Sequence, residues 1–451
     1  MFFGGSNFGR TASNAMTTAY SMDAPLCPDG LPHEPLFTHL TRLHGVLRER
    51  ADALLAAPAQ LRNGKRLQWL DVATDAWRSD DAALSAFAYG VTAFLENAGD
   101  DVRLVRWRGA EHELSPRSVV IADTESGQLL FDSAALPYVP QRRVVAPAEG
   151  FAPLRWESWA EPQLPADTAA LPSTQRETPA EQTSITMETT DHLYYETNVS
   201  IDASDALLLR VTASSSVSLL AWLNGTLATA QPAENHDKDA SRRTVEHVLD
   251  LSSAAGACDA RSCQLTILSS TIGAEPNWPV DPNSTRFLRG IVGDVVLGSD
   301  NITAHGWRMR PGLAGEAQLA NGGRIPWAPV GDRTQWPPVT WLRTRFPTPS
   351  PLPPAAACLL NLTGLGRGRA LVNSHDVGQY WLIPKNDGTG PSQRLYHVPA
   401  TWLAAPGELN ELEVADVEGV RDVSLVGIAV SRLAPGPLML TQARTVQACE
   451  F

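Results

Sequence analysis

Along most of this chain apolar and polar residues alternate with period two, the rhythm of strands, and only one long stretch keeps the 3.6-residue period of a helix. In PLFTHLTRLHGVLRERADALL, residues 35–55, Leu36, Leu40, Leu43, Leu47 and Leu54 recur at three-to-four spacing with Phe37 beside them. Arg42, Arg48, Glu49 and Arg50 mostly take the other face. The spacing predicts an amphipathic helix, with Pro35 at its first position, where a missing N–H is not felt. Ahead of it, Met1, Phe2 and Phe3 are apolar at once and Gly4-Gly5 ends the run. That reads as a strand entered partway, followed by a long loop to residue 35.

From about residue 61 short strands are expected. VTAFLEN, VRLVRW, SVVIAD and QLLFDS are separated by GDD, GAEHELSPR and TESG, which are turn-forming. They predict a small antiparallel β domain over 61–145. Residues 160–188 are rich in Pro, Ala, Glu and Thr, so 146–188 reads as a linker or excursion able to lend a strand to a neighbour. Two larger β modules follow, over 189–302 and 303–451. LLAWLNGTLATAQ in one and RALVNSHDVGQYW in the other each run an apolar strand into Asn and a small residue. That is tight-hairpin chemistry, and a repeated β-sandwich explains both.

Composition sharpens the picture. The net charge is −13 at pH 7, which disfavours nucleic acid or an anionic membrane as partner, and no apolar run is long enough for a membrane-spanning helix. Cys258 and Cys263 frame the short loop CDARSC, a local disulfide by spacing; Cys358 and Cys449 flank the last module and suit a staple, leaving Cys27 over. N-x-S/T sequons occur at Asn198, Asn224, Asn283, Asn301 and Asn361. Together these favour the secretory pathway, with an extracellular or vacuolar/lysosomal destination.

Several phrases carry a family resemblance. GGSNFGRTASNAMTTAYSMDAPL resembles the GGTNFGRTAGG…ITTSYDYDAPL signature of glycoside hydrolase family 35 β-galactosidases, most like the plant type. WESWAEP, DHLYYETNVSI, WPPVTWLRTRF and GQYW…PSQRLYHVPATWL resemble later segments of that family, in the same order. The resemblance implies a mainly β fold: the last strand and helix of a (β/α)8 barrel over 1–58, the small β domain, and two galactose-binding-like jelly rolls. It implies a retaining hydrolase that removes terminal β-galactose from glycans or oligosaccharides without a cofactor, using two glutamates about 5 Å apart. In the family these come from the fourth and seventh barrel strands, so both are expected upstream of residue 1, and the chain alone is expected to be inactive. A pocket-wall remnant would comprise Asn7, Tyr20 and Met22. Met22 stands where the family has a galactose-binding tyrosine, and a thioether cannot donate a hydrogen bond to a sugar hydroxyl.

The alternative is a non-catalytic carbohydrate-binding or structural jelly-roll protein. Trp222, Trp341, Trp381 and Trp402 are large aromatics in strand-like contexts, suited to core packing or to sugar stacking. Other patterns carry no chemistry. Gly364-Leu365-Gly366-Arg367-Gly368 precedes a strand rather than a helix, so it is not a phosphate loop. Ser374-His375-Asp376 are neighbours on a turn and cannot form a triad relay. The ten histidines show no metal-ligand spacing.

Overall fold

The computed structural model describes residues 4–9, 18–20, 24–55, 83–107, 110–135, 141–148, 153–161, 172–201, 207–214, 217–231, 244–259, 262–271, 288–320, 325–349, 352, 356–384, 390–391 and 393–435. Strands dominate, as the period-two pattern requires, and among the described residues the ladders between strands are antiparallel.

The long helix is Leu36–Glu49, continued after Arg50 by Ala51–Leu55. Pro35 sits one residue ahead of it, and the Glu34 carboxylate takes the cap by accepting from Thr38 N at 3.2 Å and Thr38 Oγ1 at 2.7 Å. The helix lies against the small β domain through His39 on Phe131, ring centroids 5.2 Å apart, and Arg50 on Asp123 at 2.7 Å. That domain is a sheet in the order Leu84–Tyr89, Thr92–Asn97, Ser118–Asp123, Leu129–Asp132. A hairpin of Arg103–Trp107 with Ala110–Leu114 completes it. The sequence pattern assigned 110–114 to a turn; its polar alternation instead fits the two-stranded hairpin. Buried Asn97 ties that hairpin to the sheet, its amide donating to the carbonyls of Asp101, Leu114 and Ser115 at 2.9–3.1 Å.

Two sandwiches make up the rest. The first packs a six-stranded sheet on a four-stranded one. The larger runs Thr174–Arg176, Trp307–Pro311, His192–Val199, Cys263–Thr271, Val217–Leu223, Thr226–Gln231; the smaller runs Thr244–Asp250, Leu208–Ser214, Ile291–Leu297, Asp300–Asn301. The second repeats this plan. Its six strands are Ala328–Pro329, Trp156–Ala160, Thr340–Pro347, Leu409–Asp416, Arg367–Val372 and His375–Trp381. Its four are Leu395–Val398, Ala356–Asn361, Gly427–Pro435 and Gln141–Pro147. The hairpins at Asn224-Gly225 and Asn373-Ser374 have positive φ at both turn residues, 45° and 78°, then 50° and 65°. That is the primed turn whose twist matches its strands.

The connectivity moves the sequence-drawn boundaries. Strand Gln141–Pro147, divided by the boundary drawn at 145 between the small domain and the linker, pairs with Gly427–Pro435, and Trp156–Ala160, assigned to the linker, pairs with Thr340–Pro347. Trp307–Pro311, assigned to the second module, pairs with His192–Val199. The second sandwich therefore begins at 141, is interrupted by the whole first sandwich, and resumes after it. Local periodicity finds strands but carries no information about which strand each one pairs with.

Each sandwich has its own core. Leu193, Tyr195, Leu219, Ala221, Leu265 and Ile267 fill the first, alternate residues of three adjacent strands. Leu342, Phe346, Leu412, Val414, Ala370 and Val372 do the same in the second. Cys358 lies there too, 1% exposed and a free thiol, its pKa pushed up to about 12 by burial. The staple expected from Cys358 is therefore absent, because strand Ala356–Asn361 points this side chain inward between apolar neighbours. Cys258 and Cys263 are joined, with Cα atoms 5.2 Å apart. Cys27, expected to be left over, is itself disulfide-bonded. Cys449 lies outside the described residues.

Candidate functional site

LYY and LLAWL read as continuous apolar runs because strands His192–Val199 and Val217–Leu223 are buried on both faces, a consequence of how the two six-stranded sheets stack. Their outer faces meet each other. Tyr194, Leu220, Trp222 and Leu268 of the first sandwich pack on Val339, Trp341 and Ala415 of the second, with Leu313 and Ile325 from the connection between them. Trp222 and Trp341 are thus seam residues, 3% and 2% exposed, belonging to neither sandwich core.

Three of the quoted phrases converge here. WESWAEP supplies Glu161, its next-to-last residue, whose carboxylate accepts from Ala314 N and Gly315 N at the start of helix Ala314–Ala320 and from Trp341 Nε1 at 2.9 Å. Trp341 comes from WPPVTWLRTRF. Glu161 is 2% exposed, and burial outweighs these three donors, raising its pKa from 4.5 to about 7. From DHLYYE, Tyr194 lies under the Arg310 guanidinium at 4.6 Å, and Arg310 pairs with Glu196 at 3.1 Å.

The seam also has a residue that the sequence hid. Arg367, in the glycine-rich run rejected as a phosphate loop, is 1% exposed. It leaves the second sandwich to donate to Thr271 O at 2.8 Å, Ser218 Oγ at 2.6 Å and Ser270 Oγ at 3.2 Å of the first, while Nε pairs with Glu418 at 2.9 Å. The flanking glycines have a reason: a Cβ on Gly368 would overlap Ala415 O, and one on Gly366 would come within 2.8 Å of Glu418 Cβ. Beneath it Asp416, fully buried, accepts from Gly366 N, Gly419 N and Tyr380 OH at 2.7–2.9 Å; burial raises its pKa from 3.8 to about 6. A single Arg inside a turn-like glycine run gives no sequence signal for such reach.

The N-terminal segment docks on the second sandwich. Gly5–Ser6 pairs with Ala19–Tyr20, and Asn7 N donates to Thr18 O at 2.7 Å. Thr18 Oγ1 donates to Gln379 O at 2.6 Å, and Ala19 N to Gln393 Oε1 at 3.0 Å. Phe8 packs on Trp402 with centroids 4.7 Å apart, and His375 stacks on the same indole at 4.9 Å. Of the residues singled out as a pocket wall, Asn7 is half-buried in this segment and Tyr20 holds its strand position. The Tyr20 side chain and Met22 lie outside the described residues. In Ser374-His375-Asp376, His375 lies on Trp402 while Asp376 pairs with Arg369, so the three diverge as a turn requires.

Among the sequons, Asn198, Asn224 and Asn301 are exposed and Asn361 is half-buried; Asn283 lies outside the described residues. Among the described residues no group of three His, Cys, Asp or Glu is arranged to hold a metal, and no helix is long and apolar enough to cross a membrane.

This architecture defines a mainly β protein built from galactose-binding-like sandwiches. Residues 339–408 match the family model for the galactose-binding domain of β-galactosidase. Beta-galactosidase 11 of Oryza sativa subsp. japonica is 26% identical over 447 residues, covering 96% of this chain and 49% of the rice protein. The chain thus spans about half the length of that relative. Among solved structures, a putative β-galactosidase from Bacteroides fragilis is 14% identical, covering 61% of this chain and 36% of its own, with a TM-score of 0.19. Streptomyces avermitilis α-L-rhamnosidase is 15% identical, covering 72% and 32%, also at 0.19. The sequence fits the C-terminal part of a plant-type glycoside hydrolase family 35 β-galactosidase.

Proposed function

We propose that the chain serves a retaining β-galactosidase that releases terminal β-galactose from glycans, and that its own share of the work is to hold the pocket wall rather than to cleave. The observation that carries this is the docking of the N-terminal segment: Thr18 on Gln379, Ala19 on Gln393 and Phe8 on Trp402. The resemblance assigns that segment to the wall of the sugar site. A wall fixed by side chains of a rigid sandwich is pre-organised, which is what positioning catalysis needs. The two glutamates of the retaining mechanism belong, by the same resemblance, to barrel strands preceding the segment that matches Met1–Gly9. On this reading the chain by itself does not hydrolyse β-galactosides.

Exposed sequons and a local disulfide support a secretory destination, extracellular or vacuolar/lysosomal. Antibody against the second sandwich should capture, from the native source, a polypeptide heavier than 48.6 kDa that releases nitrophenol from p-nitrophenyl β-D-galactoside. The purified 451-residue chain should release none above a host-protein control. Hydrolysis by the purified chain, or a heavier native protein without activity, would overturn the reading.

A further inference from the structure

Beside the seam lies a cavity of about 290 Å³. Protein interiors seldom leave voids larger than a water molecule, and ligand sites begin at about 300 Å³, so this space is of ligand size. Its apolar lining is Trp341, Leu371, Ala415 and Val417, and its polar lining, interleaved with these, includes His192, Glu316, Arg367, Arg369 and Glu413.

Most of the polar lining is committed. Glu316 accepts from Thr190 Oγ1 at 2.7 Å and Leu313 N at 3.0 Å and faces Arg369 at 3.6 Å, while Arg369 also pairs with Asp376. Arg367 is spent on the seam. Two groups are not committed. His192 is 5% exposed, and its Nδ1 has no hydrogen-bond partner among the described residues. Burial holds its pKa down, leaving a neutral imidazole that donates from one nitrogen and accepts at the other. Glu413 is 7% exposed; its backbone is part of the sheet, but its carboxylate makes no hydrogen bond or ion pair with another side chain among the described residues. Burial and neighbouring Glu411 push its pKa up, against Arg343. A buried nitrogen without a partner, such as His192 Nδ1, is costly and is normally satisfied by something.

We propose that the cavity is a binding site for one neutral, polyhydroxylated molecule of hexose size. Arg367 and Arg369 on the wall oppose a cation, and Glu316 and Glu413 oppose an anion. A sugar hydroxyl donates to the Glu413 carboxylate and accepts from an imidazole N–H, so one molecule satisfies both uncommitted groups. Its C–H face lies on Leu319 and Leu371, the partly exposed apolar residues of the lining, as apolar surface takes the ring of a sugar. The proposal does not rest on the hydrolase reading, because binding to the chain alone, with no turnover, is what it requires.

Isothermal titration of the purified chain with D-galactose and D-glucose should give saturable one-to-one binding by at least one of them. D-galacturonate and D-galactosamine should bind at least tenfold more weakly. Glu413→Gln should weaken the hexose at least tenfold. Ala320→Trp, at the exposed end of helix Ala314–Ala320 on the cavity rim, should abolish binding without moving the melting curve. Failure of both hexoses to saturate would overturn the proposal. So would equal binding of either charged analogue, or unchanged affinity in both variants.

Discussion

Glu161 lets the seam be tested by pH. Its carboxyl titrates at 4.5 when the chain is unfolded and at about 7 when buried against Trp341 and helix Ala314–Ala320. Between those values the folded protein keeps a proton that the unfolded chain has lost. The stabilisation is therefore fully present below about pH 4.5 and is lost as pH rises through about 7. A displacement of that size amounts to about 3 kcal/mol, at about 1.4 kcal/mol per pH unit. Asp416, raised from 3.8 to about 6, acts in the same direction a little lower. Glu161→Gln removes the first contribution and keeps the second. Urea unfolding followed by tryptophan fluorescence at pH 4.5, 6, 7 and 8 should show the wild-type advantage over the variant shrinking by about 3 kcal/mol across that range. Stability curves that stay parallel, or a wild type that gains on the variant as pH rises, would refute the reasoning.

Other expectations follow from named contacts. Arg367→Ala breaks the ion pair with Glu418 and removes three bonds across the seam; a loss of about 3–5 kcal/mol is expected, seen calorimetrically as separation of one transition into two. Gly315→Ala drives a Cβ into the Trp341 ring, so a cost of about 1–3 kcal/mol with red-shifted emission should appear; unchanged emission would contradict the packing. Cys358, its thiol at about 12, should resist iodoacetamide at pH 8 until urea is added, and rapid native labelling would show that the thiol is not buried. Trp402→Ala removes the ring on which Phe8 and His375 pack. Limited proteolysis within the first twenty residues should then accelerate several-fold, while the melting temperature of the sandwiches changes little.

Much of this molecule was legible because strands and helices announce themselves through period. The helix at 36–49, the hairpins at Asn224-Gly225 and Asn373-Ser374, and the two sandwich phrases were all visible in side-chain alternation. What escaped depended on distance along the chain. Nothing in QRRVVAP says that it completes a sheet with Gly427–Pro435, and nothing in Cys358 tells an inward-facing thiol from a bridged one. Continuous apolar strands such as VSLLAWL did hint at a second buried face, but the pattern is silent about what covers it. Arg367 shows the same limit: sequence placed it beside turn glycines, while its role comes from four partners, three of them roughly a hundred or more residues away.

Because one sandwich interrupts the other, synthesis and assembly run on different clocks. Pro147 leaves the ribosome long before Ala429, with which it pairs, and at about 5–20 residues per second that wait lasts roughly 15–60 s. The intervening sandwich has all its strands by Pro311 and can close first, bringing Trp156–Ala160 near the emerging Thr340–Pro347. The nascent outer half spends that interval as an incomplete sheet whose hydrogen-bonding edge is open to any passing strand. Yield in a heterologous host should accordingly respond to translation speed and to holding chaperones more than to the stability of the finished protein.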